Sequence, residues 1–130
     1  MTTETEGDTR VLIIDDDEAL LRMIRLCLAA DGFRVATARD GLLGLDKLEA
    51  EPFDAVVLDL QMPQMDGRSF FREMRARGYD IPVVILSAYR AEDARRELSA
   101  DAAIDKPFDP DVLTHTVRRL TSQQSSEQPA

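Results

Sequence analysis

Short apolar runs alternate with longer amphipathic stretches along the chain. The runs occupy residues 11–14, 35–36, 55–58, 83–86 and 102–104. The first, third and fourth carry no polar residue at alternate positions, which predicts strands covered on both faces. The second and fifth are shorter, so the same reasoning puts them nearer the sheet edges. Between the runs lie helical patterns with recognisable starts. Asp17 caps a helix reaching Ala30, with Leu21, Ile24 and Leu28 on its inner face. Asp40-Gly41 opens a second with Leu45 and Leu48 inward, and Asp66-Gly67 a third with a stripe of Phe70, Phe71 and Met74. Residues 91–98 form a fourth, short and highly charged. Asp109-Pro110 starts the fifth as a cap followed by proline at the first helical position, with Leu113, Val117 and Leu120 inward.

No repeat of fixed period is present. The strict alternation predicts a single α/β domain over residues 10–120, a doubly wound parallel sheet of five strands with five helices. Residues 1–9 are expected to be a disordered leading segment, and the Ser/Gln-rich residues 121–130 a flexible tail. Right-handed crossovers put the functional crevice of such a sheet at the carboxyl ends of its strands.

Composition narrows the function classes. A length of 130 residues with 44% hydrophobic side chains suits one folded domain and excludes compositional disorder. Its 25 acidic against 16 basic residues give a net charge of −9. Without a basic stripe, that balance argues against direct nucleic-acid binding. Cys27 is the only cysteine, so no internal disulfide can form; a reducing compartment and buried packing in the first helix are expected. No apolar run approaches the roughly 18 residues of a membrane span, and the start lacks the pattern of a signal peptide. A soluble protein of the cytoplasm, without membrane contact, is the expectation.

The predicted crevice collects chemistry from four strand ends. Asp15, Asp16 and Asp17 follow the first strand, Asp59 the third, Ser87 the fourth, and Lys106-Pro107 the fifth. One cap suffices for a helix, so Asp17 fills that role and leaves Asp15 and Asp16 for another. Asp59 lies between Leu58 and Leu60, where an unpartnered carboxylate is costly to bury. Converging carboxylates repel one another, and a hard cation with oxygen preference, Mg²⁺ above all, relieves this. A lysine beside them balances charge and attracts a phosphoryl group. Singly, Ser87 reads as a turn residue and Lys106 as solvated surface; their combination carries the argument. His115 reads as a surface histidine, and Met62, Met65 and Met74 as loop and core packing.

These residues resemble the receiver domain of two-component response regulators, the CheY-like family. The matching stretches are Val11-Leu12-Ile13-Ile14-Asp15-Asp16-Asp17-Glu18, Val57-Leu58-Asp59-Leu60-Gln61-Met62-Pro63-Gln64-Met65-Asp66-Gly67, Ile85-Leu86-Ser87-Ala88 and Asp105-Lys106-Pro107-Phe108. The resemblance implies a flavodoxin-like sheet of strand order 2-1-3-4-5. It implies Asp59 as phosphoacceptor. Mg²⁺, with Mn²⁺ as a substitute, would be held by Asp16 directly, Asp15 through water, Asp59, and the Gln61 backbone carbonyl. Ser87 would move to bond a phosphoryl oxygen, and Lys106 would pair with the same group ahead of a cis Lys106-Pro107 peptide. Ala88, Tyr89 and Gln61 stand where the family tunes switching and phosphoryl lifetime. One departure is Ala103, where many receivers carry the aromatic partner of the Ser/Thr shift.

The resemblance further implies a sensor histidine kinase or histidine phosphotransfer protein upstream and a protein of unknown identity downstream. A dimer contact would use the face of the fourth helix, fifth strand and fifth helix. Arg95, Arg96, Asp101, Arg118 and Arg119 could form salt bridges there, although a plain solvated face is the simpler expectation. Such a chain is no enzyme beyond its own phosphorylation and dephosphorylation, and it either stands alone or is the front of a longer regulator. Two other classes stay open: a degenerate receiver used only for docking, and a small Mg²⁺-dependent phosphatase. The phosphatase lacks support because Gln61, not a carboxylate, stands two residues past Asp59.

Overall fold

The computed structural model describes residues 9–62 and 64–126. The strands are β1 (Arg10–Ile14), β2 (Arg34–Ala38), β3 (Ala55–Asp59), β4 (Val83–Ser87) and β5 (Ala102–Asp105). The helices are α1 (Glu18–Ala30), α2 (Gly41–Ala50), α3 (Gly67–Ala76), α4 (Ala91–Leu98) and α5 (Pro110–Ser126). All strand pairs are parallel in the order β2-β1-β3-β4-β5, so the two weakest apolar runs are the two edges.

The pleat divides the core in two. Leu12, Ile14, Val56 and Leu58 face α2, α3 and α4, meeting Leu45, Leu48, Phe70 and Met74. Val11, Ile13, Val57 and Val84 face α1 and α5, meeting Leu21, Ile24, Leu28, Leu113 and Val117. β1, β3 and β4 are buried on both sides, which explains their unbroken apolar sequence.

Local chemistry sets the helix starts. Asp17, Asp40 and Asp66 each accept the backbone N–H three residues on, from Leu20, Leu43 and Ser69. Asp109 Oδ1 accepts from Asp111 N at 2.9 Å. α4 lacks such a device: Arg90 precedes it with φ 52° and no side-chain cap bond. Asp105 Oδ1, from the end of β5, stands 3.4 Å from Ala91 N instead.

Two expectations need correction. α5 does not stop at Leu120 but continues to Ser126, so the tail expected to be loose from residue 121 is helical at its start. No glycine or proline intervenes there, and Thr121 Oγ1 donates back to Val117 O at 2.9 Å. Cys27 is only half-buried, because Leu21, Ile24 and Leu28 hold the inward positions; its Sγ lies 3.8 Å from Met23 Sδ. The expectations for residues 1–8 and 127–130 fall outside the described residues.

At the end of the sheet remote from the crevice, Arg75 joins three segments. Its Nη1 donates to Tyr79 O and Ile81 O, both at 2.9 Å, and its guanidinium lies over the Phe71 ring at 4.7 Å. Nη2 is 3.8 Å from Asp101 Oδ2, which accepts from Val83 N at 2.8 Å. Two carbonyls lose a charged donor in Arg75→Ala, so the unfolding free energy should fall by about 1–2 kcal/mol. A lower urea midpoint with an unchanged slope is the expected reading.

Candidate functional site

β1 and β3 run side by side with Ile14 opposite Leu58 in register. The next residue on each, Asp15 and Asp59, therefore emerges at the same rim. Asp15 is 0% exposed and Asp59 3%. Asp15 N continues the ladder by donating to Ala38 O, and its side chain is held twice. Oδ1 accepts from Asp17 N at 3.0 Å, and Oδ2 accepts from Lys106 Nζ at 2.8 Å. The same ammonium is 3.4 Å from Asp59 Oδ1. Gln61 N donates to that oxygen at 3.4 Å, while the Gln61 side chain is exposed. Asp16 is exposed at the mouth of the group. Carboxylate oxygens of Asp15, Asp16 and Asp59 all lie within 4.8 Å of one another.

Lys106 arrives from β5 because Lys106 N donates to Ser87 O at 2.8 Å, extending the β4–β5 pairing by one residue. The Lys106-Pro107 peptide is cis, as the resemblance implied. Burial works against the Lys106 ammonium. The bond to Asp15 and the charges of Asp15 and Asp59 outweigh that, holding its pKa above the ordinary lysine value. Asp59 goes the other way. Burial, and then the negative charge of Asp15, push its carboxyl up to about 6, although Lys106 and the Gln61 amide pull it down. One ammonium thus serves two buried carboxylates, an arrangement short of positive charge.

Ser87 is buried at the end of β4, and its hydroxyl is engaged by the loop that follows. Oγ donates to Tyr89 O at 2.9 Å and accepts from Tyr89 N at 3.1 Å. The Tyr89 ring is 67% exposed with the Arg90 guanidinium 5.9 Å away, and Ala88 is exposed beside it. Ala103 is half-buried and packs into the core on the α2–α4 side. Asp17 caps α1, His115 is exposed on α5, and neither joins the cluster.

Two contributors escaped the sequence reading. Gly67 was read only as a helix start, yet a Cβ there would meet Asp59 O at 2.5 Å and Leu60 Cα at 2.6 Å. The absent side chain is what lets α3 begin against the backbone at the end of β3. Asp105 stands in for the missing cap of α4, a contact across 14 residues that no local pattern reveals. The charges proposed for a dimer face are mostly engaged within the chain. Arg95 and Arg96 pair with Glu92, Asp101 with Arg75, and Arg118 with Asp31 beside the Phe33 ring. Arg118 therefore belongs to the α1–β2 side, not to the face expected.

The model of the response regulator receiver domain family matches residues 11–118. The chain belongs to that family. The response regulator MprA of Mycobacterium avium (strain 104) is 34% identical over 124 residues, covering 93% of this chain and 54% of the relative. This chain thus spans about half the length of the curated relatives it matches. The Francisella response regulator 1452 receiver domain is 29% identical with a TM-score of 0.84, covering 90% of this chain and 99% of that one. Response regulator TrrA from Thermotoga maritima, solved in complex with Mg²⁺-BeF, is 28% identical with a TM-score of 0.78, covering 86% and 98%. No helix among the described residues is long and apolar enough to cross a membrane.

Proposed function

We propose that this receiver domain takes a phosphoryl group onto Asp59 from the phosphohistidine of a sensor kinase or histidine phosphotransfer protein. The observation that carries this reading is the buried Asp59 carboxylate, within 3.4 Å of Lys106 Nζ and close to two further carboxylates. An Asp59 oxygen attacks phosphorus in line, the new O–P bond forms as the P–N bond to histidine breaks, and the histidine leaves neutral after taking a proton. Lys106, already at the rim, meets the transferred oxygens and compensates their charge.

The donor set suits a hard divalent cation: oxygen atoms only, from three carboxylates, with too little positive charge of their own. Asp15, Asp16, Asp59 and the Gln61 carbonyl would hold Mg²⁺, or Mn²⁺ in its place. Bound there, it would supply the remaining charge compensation for phosphoryl transfer.

The switch follows from Ser87. Its hydroxyl is bonded to the Tyr89 backbone, so reaching a phosphoryl oxygen requires that local pair to open. A hydrogen bond to an ionised acceptor contributes about 1.5–3 kcal/mol, enough to change the preference of the loop about tenfold or more. The loop leads straight into α4, whose start has no side-chain cap of its own, so the change reaches a protein-binding surface. Ala103 offers no aromatic ring to follow Ser87 inward, which leaves the loop at 88–90 as the carrier of the signal.

Incubation with acetyl phosphate and Mg²⁺ tests the reading. Intact mass should show one added phosphoryl group, lost when EDTA replaces the cation. An uptake indifferent to EDTA removes the metal from the account, and no uptake under any condition removes the function.

A further inference from the structure

β2 is an edge of the sheet, with α1 on one face and α2 on the other, and between the two helices its outer side opens into a cleft of about 620 Å³. Arg22 and Arg25 stand on the α1 wall, Leu43 and Lys47 on the α2 wall, and Thr37 and Ala38 at the base. Arg34 N donates to Thr9 O and Ala38 O accepts from Asp15 N, so residues 34, 36 and 38 bond to β1. Strand alternation then turns the N–H and C=O of Thr37 outward, into the cleft. Leu43 is 39% exposed beside them.

The charges at this cleft differ from those on α3 and α4. On α3, Arg68, Arg72 and Arg75 all ion-pair, and on α4 so do Arg95 and Arg96. Among the described residues Arg22, Arg25 and Lys47 make no ion pair and border the same cleft, while Arg119 on α5 likewise makes none away from it. Glu18 is also there, but Arg39 takes it at 3.6 Å, and Asp46 is the one other carboxylate. Among the described residues, a chain of net charge −9 thus sets three cations that make no ion pair around the outer edge of β2.

We infer that this cleft is a docking site for an extended acidic segment of a partner protein. The segment would pair its backbone with the β2 edge at Thr37 and set carboxylates against Arg22, Arg25 and Lys47. Exposed edge strands are templates for strand addition, with the walls supplying selectivity. The inference does not depend on phosphoryl transfer, since none of these side chains belongs to the Asp59 cluster.

Titration of the ¹⁵N-labelled chain with a short acetylated peptide of alternating threonine and glutamate tests it. The expected result is saturable shifts at the Thr37 amide and its neighbours on both walls. In the double variant Arg22→Glu/Arg25→Glu, whose residues are exposed and make no ion pair among the described residues, affinity should drop about tenfold or more. Shifts that never saturate, an unchanged affinity in that variant, or equal binding of the matching threonine–lysine peptide overturn the proposal. So does a tenfold gain on deleting residues 1–8, which would make this chain's own acidic start the occupant.

Discussion

Asp59→Asn is expected to stabilise the fold at pH 7.5 by about 2 kcal/mol while ending phosphoryl uptake. The carboxyl is raised from 3.8 to about 6, chiefly by burial and by Asp15. Between these values the folded chain keeps a proton that the unfolded chain has released. The stability this group lends is therefore whole below pH about 4 and is lost as pH rises through about 6. Above that the ionised carboxylate carries a constant cost, at most about 3 kcal/mol for a shift of roughly two units. Asparagine keeps the shape and discards the charge. Urea unfolding should show the variant more stable at pH 7.5, with the gap closing by pH 4. A variant less stable at pH 7.5 would mean that Lys106 binds the carboxylate more strongly than burial and Asp15 oppose it. Stabilisation joined to loss of function is the signature of a residue kept for chemistry rather than for the fold.

Gly67→Ala is expected to have the largest effect of any single methyl added to the chain. The new Cβ would meet main-chain atoms, Asp59 O at 2.5 Å and Leu60 Cα at 2.6 Å. No rotamer change relieves such a contact, so α3 or the end of β3 has to move. A loss of about 3 kcal/mol is expected, at the upper end of ordinary overpacking. Gly44→Ala is the comparison: its Cβ would meet the tips of Ile14 and Phe70, at 2.7 and 3.0 Å, which can rotate aside. That variant should be milder and keep its phosphoryl uptake. Gly67→Ala should lose much of its uptake even where it remains folded, because Asp59 itself is displaced. Paired denaturation and phosphorylation measurements on the two variants separate these outcomes.

The sheet was legible because its physics is local. Residues 11–14, 55–58 and 83–86 are apolar throughout since both faces are covered, and Asp17, Asp40 and Asp66 announce their helices through a bond three residues away. The site was legible for a different reason. A parallel sheet brings the residues after each strand to one rim, so Asp15, Asp59 and Lys106 could be joined from sequence once the strands were found. What stayed hidden depends on contacts between distant segments. Asp105 supports α4 across 14 residues, and Arg118 reaches Asp31 across 87. Neither separation has a periodic signature. The length of α5 is not legible in the sequence because apolar anchors end at Leu120, whereas a helix with no breaker in its path continues on hydrogen bonds alone.

Borohydride trapping locates the phosphoryl group most directly, since it reduces an aspartyl phosphate to homoserine and leaves other phosphoamino acids unreduced. After treatment with phosphodonor and Mg²⁺, peptide mapping should find homoserine at position 59 and nowhere else. Homoserine at position 15 or 16, or a phosphoryl group on His115 instead, would contradict the assignment of Asp59 as the acceptor.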